Sequence, residues 1–352
     1  MSPQFVDFDL DGHLDVLTAT FDGAVHLARG TEDGFAKPEH VLDQRRNRIV
    51  LNKFFTTKNK WQTTKHSDPR GGAPAEGHLT ACVAMDVDGD GDLDLILGDH
   101  TKGFLYVRRN QGSARSAKFA TKNERLRCGG KALQVPNGVM SLRVVDWNGD
   151  QRSDLLVTST AGFGPAPGSG VYVCIDQSQQ GAWCPSQPIP LLAEYDGHLQ
   201  LGPERVTSGL YADLGDVDGD GDLDLIVGGY ATWRSSAAEV SGRPSYALAK
   251  LQQESLALAK DTARSARESW HVTREMSDAE QLQWTRKRFL KAKDPMKLFA
   301  IGAKRQELEQ RIKHILPNEH KQPFLWIYQN RAVAGERKLP KPMTMANRTA
   351  AK

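Results

Sequence analysis

The stretch Asp86–Gly98 reads DVDGDGDLDLILG, and it returns almost letter for letter as DVDGDGDLDLIVG at Asp216–Gly228. Each copy places five aspartates within nine residues and runs straight into an apolar segment. Two looser relatives, DFDLDGHLDVLTAT from Asp7 and DWNGDQRSDLLVTS from Asp146, keep D-x-[DN]-x-D at positions one, three and five and Asp at position nine. All four continue in a Leu-rich, partly β-branched run that predicts a strand. The copies start 79, 60 and 70 residues apart, which makes them an internal repeat.

The spacing points to calcium. A hard cation takes six to eight oxygen ligands, and alternate residues of a tight loop can aim their side chains at one centre. Glycine after the third acid allows the sharp turn that brings the position-nine Asp back. The bland alternative is an Asp/Gly-rich turn that binds nothing, although clustered carboxylates without a counter-ion repel one another. An EF-hand is excluded: it needs Glu at position twelve and flanking helices, whereas these copies have Leu97 and Val227 there, followed by strand-type sequence. A nonapeptide calcium β-helix is excluded by the 60-to-79-residue spacing.

The pattern D-x-D-x-D-G-x-x-D-L-x-x-G, recurring at the spacing of one blade, resembles the FG-GAP/VCBS repeat of integrin-α-type β-propellers, in its bacterial form. The resemblance implies an all-β propeller in which each Asp-rich loop joins the first two strands of a blade. It also implies calcium ligands at positions one, three, five and nine, with the carbonyl of position seven. Carried over, the strict sites are Asp86, Asp88, Asp90 and Asp94, and Asp216, Asp218, Asp220 and Asp224. Asp7, Asp9, Asp11 and Asp15 fit with Gly12 in place; Asp146, Asn148, Asp150 and Asp154 depart, because Asn148 removes a charge and Gln151 replaces the turn glycine. Four repeats fit either a small four-bladed ring or part of a larger, incomplete one.

A third strand is expected after each motif: GAVHLARG from Gly23, GFLYVRRN from Gly103 and GVYVCID from Gly170, which begin 8, 9 and 16 residues after the position-nine Asp. The fourth counterpart, PFLWIYQN, begins only at Pro323, 99 residues after Asp224. The last blade is therefore read as opened by an insertion. Residues 1–243 with 323–335 form the propeller, 244–322 the helical insertion, and 336–352 a flexible basic tail. The insertion is rich in Ala, Leu, Lys, Gln and Glu, which favour helix. Ser277 to Glu280 reads as a capping box, and Asp294-Pro295 as a second helix start. Leu298, Ile301, Leu308, Ile312 and Ile315 form one apolar stripe, and Leu248, Leu251 and Leu258 another. These predict a helical hairpin or small coiled coil projecting from the sheets.

Charge is uneven. Residues 245–316 hold 15 Lys/Arg against nine Asp/Glu, a net of +6, so the chain's total of +3 leaves −3 elsewhere. This suits a solvated helix face or a surface for an acidic partner. Nucleic acid is not expected, because acids dilute the bases and no stacking platform is evident. No apolar run is long enough to cross a membrane. The N-terminus lacks a signal peptide, and the chain opens inside an expected first strand at QFVDF, so an upstream segment with an export signal is anticipated. Cys174 and Cys184 flank a turn and are equally suited to pairing or to staying free.

Three functional readings follow. The first is an extracellular, periplasmic or cell-surface interaction module with structural calcium, binding a protein or glycan. The second is a propeller-based carbohydrate-active lyase or hydrolase, for which no catalytic motif is found; Asp99-His100 and the aromatics Tyr230, Trp233 and Trp326 are its best candidates. The third is a scaffold that self-associates through the helical arm.

Overall fold

In the computed structural model, the described residues are 2–51, 53–55, 61–63, 77–160, 169–178, 181–235, 246–273, 276, 278–291, 296–316 and 318–330. They are mostly β, in small antiparallel sheets with three helices.

Each Asp-rich motif sits between the first two strands of its own sheet. The first sheet comprises β1 (Gln4–Val6), β2 (Asp15–Ala19), β3 (Val25–Ala28) and β6 (Glu39–His40). Two hairpins, β4–β5 (Gly30–Thr31, Gly34–Phe35) and β7–β8 (Lys53–Phe55, Trp61–Thr63), lie beside it in sequence. The second sheet has β9 (Leu79–Met85), β10 (Asp94–Asp99), β11 (Leu105–Arg108) and β12 (Glu124–Arg125), followed by the hairpin β13–β14 (Arg127–Cys128, Lys131–Ala132). The third has β15 (Gly138–Val145), β16 (Asp154–Thr160), β17 (Gly170–Cys174) and β18 (Ile189–Leu192). The fourth has β19 (Ser208–Gly215), β20 (Asp224–Ser235) and β21 (Asn318–Tyr328). The expected third strands are therefore β3, β11, β17 and β21, and each pairs with the strand that follows the motif.

The packing follows from the two-residue period of a strand, which sends alternate side chains to opposite faces. On β10, Leu95 and Leu97 enter a core shared with Leu17, Val25 and Leu27 of the first sheet, whereas Ile96 enters a core shared with Leu142, Leu155 and Val157 of the third. On β16, Leu156 turns the other way and meets Leu210, Leu225 and Trp326 of the fourth. The middle sheets are thus buried on both faces, which explains why their strands read as continuous apolar runs rather than alternating ones. Gly98 permits the close approach: a Cβ there would lie 2.5 Å from Val139 Cγ1 in the next sheet.

Polar ties link the first strands. Gln4 on β1 exchanges hydrogen bonds with the backbone of Ala84 on β9. Ser2 donates to the Leu142 carbonyl, and Arg143 on β15 donates to Ser2, to the Pro3 carbonyl and to Asp213 on β19.

The insertion departs from β20 and returns at β21. Strand β21 begins at Asn318, five residues before Pro323, because β20 and β21 stay paired as far as Ser235 opposite Asn318. Three helices fill the gap: α1 (Tyr246–Thr273), α2 (Asp278–Lys291) and α3 (Met296–Ile315). Ser277, Asp294, Pro295 and the side chains of Leu298 and Ile301 lie outside the described residues, as does the tail 336–352. Helices α1 and α3 run antiparallel through a short seam in which Leu251 meets Leu308 and Ile312, with Leu258 beside it and Leu199 closing the base. Leu248 is buried near that seam, whereas Ile315 is exposed and the adjacent Leu316 takes the buried position. The arm does not simply project: the carbonyl of Met276, between α1 and α2, accepts a hydrogen bond from Lys102 Nζ in the β10–β11 turn, so the far end of α1 touches the second sheet's turn. At 1.5 Å per residue α1 spans about 42 Å, enough for that reach. No helix among the described residues is long and apolar enough to cross a membrane. Cys174 is buried, Cys184 is exposed, and the two are not bonded.

Candidate functional site

The four Asp-rich loops share one internal wiring. The position-one carboxylate accepts backbone N–H groups from the turn it begins: Asp7 from Asp11 and Gly12, Asp86 from Gly89 and Gly91, Asp146 from Asp150 and Gln151, and Asp216 from Gly219 and Gly221. The position-five carboxylate accepts the N–H of position seven, as in Asp90 with Asp92 and Asp220 with Asp222.

The position-nine aspartates, Asp15, Asp94, Asp154 and Asp224, are fully buried as the first residues of their strands. One oxygen of each accepts the backbone N–H that follows the third strand: Gly30, Asn110, Asp176 and Asn330, at 2.6–2.8 Å. Three also accept the N–H of position two, from Phe8, Trp147 and Val217. Position nine is therefore a latch that fastens the loop to the third strand, a role the spacing alone does not reveal.

The loops differ in what surrounds the acids. Asp7, Asp9 and Asp11 bring one carboxylate oxygen each within 4.8 Å of one another; so do Asp86, Asp88 and Asp90, and Asp216, Asp218 and Asp224. Asp9 Oδ1 and Asp92 Oδ1 are buried without a hydrogen-bond partner, which costs free energy unless a cation or water supplies one. Burial, then repulsion from Asp90, Asp94, Asp88 and Asp86, raises the Asp92 pKa to about 6. Burial also pushes Asp94 up, against its hydrogen bond from Asn110 and the Arg109 charge. Crowded, under-partnered carboxylates of this kind fit a divalent cation. Arginines enter two of the loops from the ends of the third strands: Arg29 pairs with Asp9, and Arg109 lies 3.3 Å from Asp88 and 2.9 Å from Asp94.

The third loop is arranged differently. Asn148 donates to Asp150, and Arg152 binds Asp150, Asp176 and the Ser178 carbonyl. Burial would raise the Asp150 pKa, but the hydrogen bonds from Asn148 and Arg152 outweigh it and hold the group low. Gln151 stands at φ 66°, where the other loops have Gly12, Gly91 and Gly221 at 85–92°. A second departure was not anticipated: position four is Leu10 in the first loop, at φ 56°, where the others have Gly89, Gly149 and Gly219.

The candidates for catalysis are not brought together. Asp99 faces the backbone, accepting N–H groups from Thr101 and His78, while His100 Nδ1 meets the Val139 carbonyl. Trp326 is buried in the core, and Trp233 stacks on His320. Tyr230, an odd number of residues from Trp233 on one strand, lies on the opposite face beneath Lys321. A cleft of about 390 Å³ lies between the fourth sheet and the arm, lined by Tyr195, His198, Trp233, Arg305 and Glu309 among others. Its walls come from separate segments, among them the 195–200 connection, the end of β20, α1 and α3, so no single stretch of sequence announces it.

Residues 86–157 match the FG-GAP-like repeat family, from the second Asp-rich loop to the middle of β16. No curated protein matches the chain.

Proposed function

We propose that this chain, which carries an FG-GAP-like repeat at residues 86–157, is a calcium-stabilised β-propeller-type interaction module working outside the cytosol. One observation carries the reading: three Asp-rich loops, at equivalent places in the first, second and fourth sheets, each gather three carboxylates within 4.8 Å. Calcium would neutralise those acids and set the loop that connects the first two strands, so that folding and binding are linked. Asp7, Asp9, Asp11 and Asp15, Asp86, Asp88, Asp90 and Asp94, and Asp216, Asp218, Asp220 and Asp224 would serve these ions. In the loop of Asp146, Asn148, Asp150 and Asp154 one carboxylate is missing and the Arg152 guanidinium comes from within the loop to hold Asp150, which would weaken an ion there. Ordinary-affinity loops fill at external calcium levels and stay largely empty at resting cytosolic ones, which favours an extracellular, periplasmic or surface location.

The propeller reading is supported by the serial packing of the four sheets and by the hydrogen bonds that Arg143 and Gln4 make between first strands. The ligand, a protein or a glycan, would engage the arm and its cleft, where aromatic and charged side chains converge. Equilibrium dialysis against ⁴⁵Ca tests the metal reading. Three bound ions with no added catalyst-like turnover of polysaccharides support it; no bound calcium at millimolar concentration rejects it.

A further inference from the structure

At the other end of the first sheet, β3 and β6 are paired so that His26 lies directly opposite His40. Directly opposed residues share a face and sit close enough to touch. The two rings meet edge-on, with centroids 4.3 Å apart. Asp22 belongs to the tight turn between β2 and β3, four residues before His26. Its Oδ1 is held by the Ala24 N–H and the Thr20 hydroxyl, which leaves Oδ2 turned towards His26 Nε2 at 3.1 Å. One potential ligand atom from each of the three residues lies within 4.8 Å of the others. His40 Nδ1 is buried and has no hydrogen-bond partner.

This chemistry differs from that of the Asp-rich loops. Calcium takes oxygen ligands, whereas two imidazole nitrogens with one carboxylate oxygen suit zinc and neighbouring first-row divalent metals. The location is separate as well. Strand β2 starts at the loop latch Asp15 and ends at Ala19, so the Asp22 turn lies at the opposite end of the sheet. The side chains of Asp22 and His26 are 28% and 19% exposed, so solvent reaches the cluster and water can complete the coordination.

We propose that Asp22, His26 and His40 form a three-ligand site for zinc or a similar first-row divalent ion, with a fourth position open to water. The Thr20 hydroxyl is the outer partner that orients the Asp22 carboxylate, as supporting groups do around other metal ligands. A bound ion would fasten the β2–β3 turn to the outer strand β6, which is only two residues long. The two His residues come from strands whose pairing decides their meeting, and Asp22 comes from the turn. Zinc binding would therefore report that the outer part of this sheet is correctly assembled.

The test uses the whole chain, stripped with chelator and returned to millimolar calcium so that the Asp-rich loops are occupied. Zinc chloride titrated calorimetrically should give one strong equivalent, and cobalt(II) should give the intense visible bands of a four-coordinate N/O site. His26→Gln and His40→Gln should each abolish the cobalt bands, and Thr20→Val should weaken zinc binding about tenfold. Unchanged thermal melts in calcium would show that the variants fold. Should either His variant fail to fold, the wild-type cobalt spectrum and the Thr20→Val titration still decide the matter. Weak six-coordinate bands, absence of a zinc equivalent, or zinc affinity indifferent to Thr20 and to both histidines would overturn the assignment.

Discussion

The third Asp-rich loop offers the sharpest engineering test, because its charge and turn differ from the strict copies at three positions, Asn148, Gln151 and Arg152. As it stands, Asp146, Asp150 and Asp154 face one guanidinium, Arg152, for a local charge of −2. The triple variant Asn148→Asp, Gln151→Gly, Arg152→Asp would carry five carboxylates at the spacing of Asp86 to Asp94. It also removes a backbone penalty. A non-glycine residue in the left-handed region costs about 1–2 kcal/mol, and Gln151 stands at φ 66°. Glycine gives back roughly 0.4–1 kcal/mol through the freer unfolded chain. The single change Gln151→Gly should therefore stabilise by roughly 1 kcal/mol, or about 2 °C in Tm, with or without calcium. The triple variant loses the Arg152 bonds to Asp150, Asp176 and Ser178 and gains repulsion, so in chelator it should melt below the parent. In calcium it should recover and bind one ion more than the parent by titration calorimetry. An unchanged calcium count would refute the claim that charge number and turn geometry together decide which loops hold an ion.

Three further outcomes follow from other parts of the structure. Burial raises the Asp99 pKa from 3.8 to about 6, against the amide donors of Thr101, His78 and Lys102. The folded chain thus holds that proton more tightly than the unfolded one, and the associated stability is full below about pH 4 and lost as the pH rises through 6. Asp99→Asn should spare roughly 3 kcal/mol of the parent's loss between pH 4 and 7.5 in urea titrations, and a variant that loses more than the parent would contradict the sign. Gly103→Ala should cost about 3 kcal/mol or more, since the new Cβ would stand 2.1 Å from the Asn137 carbonyl at φ 74°; a melt within 1–2 °C of the parent would show that the turn yields. Leu308→Ala should loosen the α1–α3 seam by about 2–4 kcal/mol, visible as faster proteolysis of the arm with the calcium count unchanged.

The sequence made the loops and the strands on either side of them legible for a physical reason. Both are set by contacts within about ten residues, through alternate carboxylates, turn glycines and short apolar runs. The last strand was also legible, despite its distance in sequence, because FLWIYQN repeats the chemistry of FLYVRRN. What stayed hidden depends on register or on distant partners. Asp15 reads only as a ligand until the Gly30 amide is seen to rest on one of its oxygens, which makes it a latch as well. Leu10 looks like an ordinary apolar residue until its backbone proves left-handed. His26 and His40 are fourteen residues apart with no motif between them, and only the β3–β6 pairing makes them neighbours. The arm's helices were readable from composition, but its direction was not, because that rests on Leu199 and Lys102, which lie in connections between strands far away in sequence.

The central claim is that the Asp-rich loops hold calcium and thereby stabilise the sheets. It is tested most directly by melting the full chain in millimolar calcium, in equal magnesium, and in excess chelator. A site filled to a hundred times its Kd contributes about 2.7 kcal/mol, so three filled loops should raise Tm by at least about 10 °C, in calcium alone. Superimposed curves, or a rise that magnesium reproduces in full, would contradict it.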